Sequence, residues 1–393
     1  MADANRMNLA YEDEDINGSG SYGVTVGTEL IDLRFTSESI AQITGTVNSA
    51  EIRSDRQIVD HLRTTINVAG DMNIELSYGA FDDFIRWGLQ SAAWTTPVVS
   101  GVTNGTNDID AASGDNSFNT AGSFVTDGFD ANRWIKASGF SEAGNNTFFR
   151  IVTVAATKLV VAGSTLVTDG TDAGHILTQG AEIVNGVVDN SFSLEKEYTD
   201  LTNIFSIYTG CMIDSFTLTV PSDNIVTGSF GILGKIEASA AATEGDGGNT
   251  AAPANEVMAG IEDITAIMES SVALASTQFS ITLSNNLRER MQIGTLGPIG
   301  ISSGTVDVTG TLQGYFTQVA ELDKYLNFSD TALAIQFADS TGKGYVIDLP
   351  RVNYSSGTRV AGGVNTDILA DLAFSSFRHE TQGETIVIQR FAA

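Results

Sequence analysis

One cysteine, Cys211, is all that the 393 residues contain, so no disulfide can form within the chain. In its setting, "YTGCMIDSF", a buried structural thiol is expected. Proline is nearly as scarce, at five. The three histidines, His61, His175 and His379, fall in separate stretches without metal-ligand spacing. Basic residues are few: 20 Lys and Arg face 48 Asp and Glu, a formal charge of −28. The acid is spread along the chain, so the folded object carries a negative field. Such a field repels phosphate and argues against a sequence-reading DNA binder, though not against a surface that DNA passes without sticking. No apolar run approaches bilayer length. The opening "MADANRMNLAYEDEDING" lacks a basic n-region and an apolar h-region, so a soluble product made in a cytoplasm is expected.

Glycine, by contrast, is abundant at 40, and Thr, Ser, Val and Ile recur in short runs broken by turn residues. That is the make-up of a mainly β chain. Its length suits two or three domains with sizeable cores. In "INVAGDMNIELSYGAFDDFI", Ile66, Val68, Gly70, Met72, Ile74 and Leu76 recur at period two, one face of a strand. Asn67, Asp71, Asn73 and Glu75 fall on the other face. After Gly79 the period changes, and Phe81, Phe84, Ile85 and Leu89 take the spacing of one face of a short helix.

The chain then writes this unit again. In "VDVTGTLQGYFTQVAELDKYL", Val306, Val308, Gly310 and Leu312 alternate, and Leu322, Tyr325 and Leu326 take the helical spacing after one inserted loop residue. A switch of period at matched places is a stronger repeat signal than a shared word.

Five segments follow from this reading. Residues 1–22 are expected to form an extended acidic arm. Residues 23–100 and 191–237 make a first, discontinuous domain, interrupted by a small inserted β-barrel or sandwich at 101–190. Residues 238–255, "ASAAATEGDGGNTAAPAN", read as a linker or exposed loop, and 256–393 as a whole second domain.

Chemical motifs are weak. "DEDING" has the opening spacing of a calcium loop, but its twelfth position is Val24 rather than a bidentate Glu, and an acidic arm is the better reading. "GSGSYG" matches a dinucleotide fingerprint in letters only, since an acidic run precedes it and a strand-like run follows. Asp82 and Asp83 open the first helix, where its dipole favours them, and capping outweighs catalysis. Trp87 and Trp94 read as packing residues. No nucleophile elbow is present. The expectation is a protein with no catalytic, cofactor or metal residues.

Three stretches carry a resemblance: "SAEIRSDRQ" leading into "INVAGDMNIELSYGAFDDFIRWGL", then "LTVPSDNIVTGSFGILGK", and finally "FSITLSNNL", "VDVTGTLQGYFTQVAELDKYLNF", "DLPRVNY" and "ETIVIQR". Together, over about three quarters of the chain outside the insertion, they resemble the tail tube proteins of long-tailed, siphovirus-type bacteriophages. The resemblance implies two tail-tube-type β-sandwich domains, each with one short helix, in a non-enzymatic virion protein. Rings of such domains stack into the tube that delivers the genome. Six domains make a ring, so two per chain imply homotrimeric rings.

It also implies partners: the chain itself, the tape measure, tail tip and terminator proteins, and genomic DNA passing without specific binding. The place expected is the virion tail, after synthesis in the host cytoplasm. By alternation, Asp71, Glu75 and Asp307 are the expected bore-facing acids, and Phe81, Phe84, Ile85, Leu89, Leu322, Tyr325 and Leu326 the expected helix-packing core. The inserted domain is expected to face outward, while the arm and the 238–255 loop reach the adjacent ring. Rival readings are a baseplate or tail-end protein built on the same domain, a surface β adhesin binding glycans, and a polysaccharide-degrading tail enzyme. The last should show a long strand repeat or a carboxylate pair, and neither is in the sequence.

Overall fold

The alternation at Ile66–Leu76 becomes the long strand His61–Glu75, and its counterpart becomes Asp307–Tyr315. Successive residues of a strand face opposite ways, so each sends its apolar side chains to one side and its polar ones to the other. The computed structural model describes residues 3–27, 29–100, 108–172, 174–246, 248–315, 320–360, 363–364 and 367–393. Among these the chain is mainly β, with three short helices: α1 (Asp82–Gly88), α2 (Phe124–Asp127) and α3 (Ala320–Leu326).

A single antiparallel front sheet crosses the molecule. Its strands run in the order Ala41–Asn48, His61–Glu75, Thr227–Gly234, Phe205–Pro221, then Ser276–Ser284, Asp307–Tyr315, Leu369–Ser376, Gly344–Val360. The second four repeat the first four in topology. Phe205–Pro221 and Gly344–Val360 are both 17 residues long. Each holds one extra residue against its partner, Asp214 and Ser355, where the register shifts. Such a bulge bends a strand, and the stretch before it peels away into a back layer.

In the first half that back layer is Met7–Asp13, Phe192–Tyr198, the start of Phe205–Pro221 and Ile236–Ala240. In the second half it is Ile264–Glu269, Thr331–Phe337, the start of Gly344–Val360 and Val387–Phe391. The repeated glycine has a steric cause. A Cβ on Gly70 would lie 2.5 Å from the Ser39 carbonyl oxygen, and one on Gly310 would lie 2.2 Å from that of Ser280. A neighbouring backbone crosses too closely there for any side chain.

One core runs through both halves, between front and back layers. Helix α1 inserts Phe84, Ile85 and Trp87 into it. The Phe84 ring meets those of Tyr11, Trp87, Phe192 and Phe230 at centroid distances of 5.1–5.4 Å, and Trp87 stacks on Phe192 at 4.5 Å.

Between α1 and Phe192–Tyr198 the chain builds a separate eight-stranded sheet, from Val98 to Gln179, around its own core that includes Phe118, Phe124 and Phe149. The first residues of the expected insertion, 101–107, lie outside the described residues. This module interrupts the first half in sequence yet packs on the back layer of the second. Trp134 and Phe148 share a cluster with Met268, Val346 and Phe391. Arg133 pairs with Glu182 at 2.6 Å and Glu384 at 2.7 Å. The returning chain, Ala181–Val184, adds a strand to Val387–Phe391.

Two expectations are corrected. Residues 1–22 are not simply an extended arm: Met7–Asp13 pairs along its whole length with Phe192–Tyr198, and Leu9, Ala10 and Tyr11 are buried. The acids that made it look solvated are bonded by tertiary partners. Buried Glu14 accepts from Ser191 Oγ, Ser193 Oγ and the N–H groups of Gly23 and Gly210, at 2.5–2.8 Å. Nor is 238–255 a free linker. Its first residues belong to Ile236–Ala240, Asn249–Thr250 pairs in parallel with Leu30–Ile31, and Thr243 and Glu244 donate to the Glu195 carboxylate.

Candidate functional site

The outer face of the front sheet is an ordered polar surface that runs across both halves of the repeat. Strand alternation that sends Val68, Met72, Phe230, Phe279, Leu312 and Phe374 inward leaves Asn73, Ser229, Thr217, Thr282, Thr309 and Ser375 aligned across six strands on the other side. Cross-strand hydroxyl pairs form within this row, Thr217 to Thr282 at 3.2 Å, and within the next, Ser280 to Thr311 at 2.7 Å. Asp71 and Asp307 are exposed on this face and Glu75 is half-buried on it.

The sequence reading missed Asp371, which accepts from Gln313 Nε2 at 2.6 Å, and Asp214 at the bulge, which accepts from the Leu287 N–H at 2.8 Å. Asp214 had no alternation to reveal it, since the bulge breaks the period. Among the described residues no Lys or Arg occupies a paired position on this face. The paired positions of this face therefore offer hydroxyls, amides and negative charge, with Arg288 a nearby cation, in the depression it shares with Asp307.

Two strand edges flank this face. On Asn353–Val360, pairing among the described residues is with Leu369–Ser376 alone. At the other end, the backbone beyond Ala41–Asn48 is met by side chains in place of a strand. Ile40 N–H donates to Glu38 Oε2 at 2.8 Å, the Ile40 carbonyl accepts from Lys196 Nζ at 3.2 Å, and Gln42 N–H donates to Glu237 Oε2 at 3.1 Å. Lys196 is buried, pairs with Glu38 at 2.9 Å and lies 5.1 Å over the Tyr208 ring. Tyr208 donates to Glu237, and burial, then the Glu237 charge, push its hydroxyl well above the usual tyrosine range. No sequence signal marked this group, because its members come from four separate segments.

At the start of α1, Asp82 accepts from Tyr345 Oη at 2.6 Å and pairs with Arg390, while Asp83 accepts from Tyr11 Oη at 2.9 Å and pairs with Arg86. Burial, then Asp82, raise the Tyr345 pKa strongly. Both acids thus complement the helix N-terminus, and Asp82 also joins the two halves, since Tyr345 and Arg390 belong to the second.

Of the expected helix-packing residues, Phe81, Phe84, Ile85 and Leu89 are buried and Tyr325 is partly buried against the core. The Leu322 side chain lies outside the described residues. Leu326 departs from expectation, being 64 % exposed. Tyr325 takes the contact over Gly357, and Lys324 is drawn to Glu269 at 2.7 Å; that seating turns Leu326 to solvent beside Phe328, also exposed. Cys211 is buried, and its burial raises its pKa.

Comparison with known proteins gives one finding. The family described as phage tail tube protein matches residues 4–376, nearly the whole chain. No curated protein sequence matches significantly.

Proposed function

Because the chain belongs to the phage tail tube protein family, a structural family of the virion tail, we propose that it forms the stacked-ring tube of a long-tailed phage. Each chain supplies two neighbouring staves of the ring, and three chains close it with near-sixfold symmetry. The observation that supports this most is the front sheet itself. Two topologically matched sets of four strands are joined side by side within one chain, and the two outer edges are the counterparts of the two edges already joined. A sheet that continues from copy to copy until it closes leaves no edge unpaired.

In this reading the staves are residues 23–100 with 191–237, and 256–393, with Met7–Asp13 as part of the first. The polar face lines the bore, with Asp71, Glu75 and Asp307 on it. Its repulsion of DNA acts within about 8 Å of the wall at physiological salt. The module at 101–190, seated on the back layer, faces outward. Contact between rings falls to the ribbon beyond the sheet, where Ala41–Asn48 and His61–Glu75 run on with Val47, Ile52, Ile58 and Leu62 exposed. Tape measure, tail tip and terminator proteins are the partners at the ends.

Cryo-electron microscopy of the purified, assembled protein tests this. Three chains per ring, with ribbon density bridging rings, is the expected image. Six full-length chains per ring would overturn the two-stave reading.

A further inference from the structure

We propose that the Ile40–Gln42 edge is stoppered by charged side chains in the free subunit, and that the Gly357–Arg359 stretch of a second copy displaces them in a register set by the chain's own internal joint. This rests on the ring reading above.

The register follows from the repeat. Ala69 lies opposite Ala41, which sets Ile40 against Gly70, and Gly310 lies opposite Ile281. On the other side Gly70 faces Ile232 and Gly310 faces Phe374, and the bulge residues Asp214 and Ser355 follow at the same step. Phe216, Thr217 and Leu218 therefore correspond to Gly357, Thr358 and Arg359. Leu283, Thr282 and Ile281 correspond to Gln42, Ala41 and Ile40. Inside the chain the pairs are Phe216 with Leu283, Thr217 with Thr282 and Leu218 with Ile281. Between copies they become Gly357 with Gln42, Thr358 with Ala41 and Arg359 with Ile40.

The same correspondence shows why the two joints differ. Glu38, Lys196, Tyr208 and Glu237 occupy the places of Phe279, Ile335, Leu349 and Ile386. The latter four are at most 1 % exposed in the main core. The permanent joint is an apolar plug; the edge that must stay soluble until assembly carries charge at the same positions. Exposed edges recruit other strands indiscriminately, and inward charges on an edge suppress this. Two carboxylates against one ammonium leave the group one negative charge in excess. Arg359 arrives diagonal to Glu38, within reach of a long side chain, and exchanges its contact within its own copy for that carboxylate.

Cysteine pairing tests the register. Ile40 and Gln42 aim their backbone groups outward, so Ala41 and Thr358 form a non-hydrogen-bonded pair with Cα atoms about 4.5 Å apart, inside disulfide range. Oxidising the Ala41→Cys, Thr358→Cys variant in assembled form should link chain to chain at least about tenfold more than the shifted Ala41→Cys, Ser356→Cys pair. Buried Cys211 stays out of the reaction. Equal linking, or none, in particles that do show rings would overturn the register and leave the ring reading standing. Absence of rings would overturn both.

The charge hand-over is tested by Arg359→Glu, expected to cut ring formation about tenfold, with Glu38→Lys restoring it in the double variant. No restoration, with the free subunit still folded by its melting curve, would overturn the pairing. Amide exchange at Ile40 and Gln42 should slow about tenfold or more on ring formation; unchanged rates would overturn the displacement.

Discussion

Gly310 shows how closely single residues are constrained by what crosses them. Its added Cβ would meet both the Ser280 carbonyl oxygen, at 2.2 Å, and the Phe374 ring, at 2.3 Å. Gly310→Ala should lower stability by about 1–3 kcal/mol, the usual cost of overpacking. Gly144→Ala, where nothing lies within 4 Å, should change it far less. Chemical denaturation of the two variants checks this, and equal losses would show that the crossing is slack. The period of the sequence had placed Gly70 and Gly310 on the apolar face but gave no reason for glycine. The reason is tertiary: the backbone paired beside each lies too close for a Cβ. Leu326 teaches the converse. Its spacing was right for the helix, yet which side chains of a helix are covered depends on what is laid against it.

At the scale of elements, the inserted module is held by charge as well as by Trp134 and Phe148. Asp348 is buried at this contact, and burial raises its pKa despite the nearby Arg150 and Arg133. Glu182 is raised in the same way, with Arg133 opposing. A carboxyl group whose folded pKa is raised favours the fold in its protonated form. Its contribution is present below the unfolded carboxylate pKa and is lost as pH climbs through the raised value. Relative to Asp348→Asn, the unmodified protein should therefore lose melting temperature as pH rises from about 4 to about 7. A constant or growing advantage would mean that the arginines outweigh burial.

That the module exists was legible in its closely spaced strand runs. That it sits on the other half was not, because Arg133 meets Glu384, and Trp134 meets Gln389, only after the chain has folded back.

For the molecule as a whole, the proposed tube makes the front sheet the bore wall, with Asp71, Glu75 and Asp307 on its outer face. Replacing Asp71 and Asp307 by lysine should leave assembled tubes intact in the microscope while infectivity falls by about tenfold or more, since a basic bore retains phosphate. Normal infectivity with intact tubes would remove these residues from the bore.

The sequence by itself determined the mainly β character, the repeated strand-and-helix unit, the acidic field and the family. The first three depend on local periodicity or composition, and the family on the run of residues in the matching stretches; a chain carries both before it folds. Only the tertiary structure decided that Met7–Asp13 is a core strand, that the two halves share one sheet through Phe205–Pro221 and Ser276–Ser284, and that Glu38, Lys196 and Glu237 converge on one edge. Strand partners are chosen by long-range packing and hydrogen bonding, and no single stretch of sequence records the strand that will lie beside it.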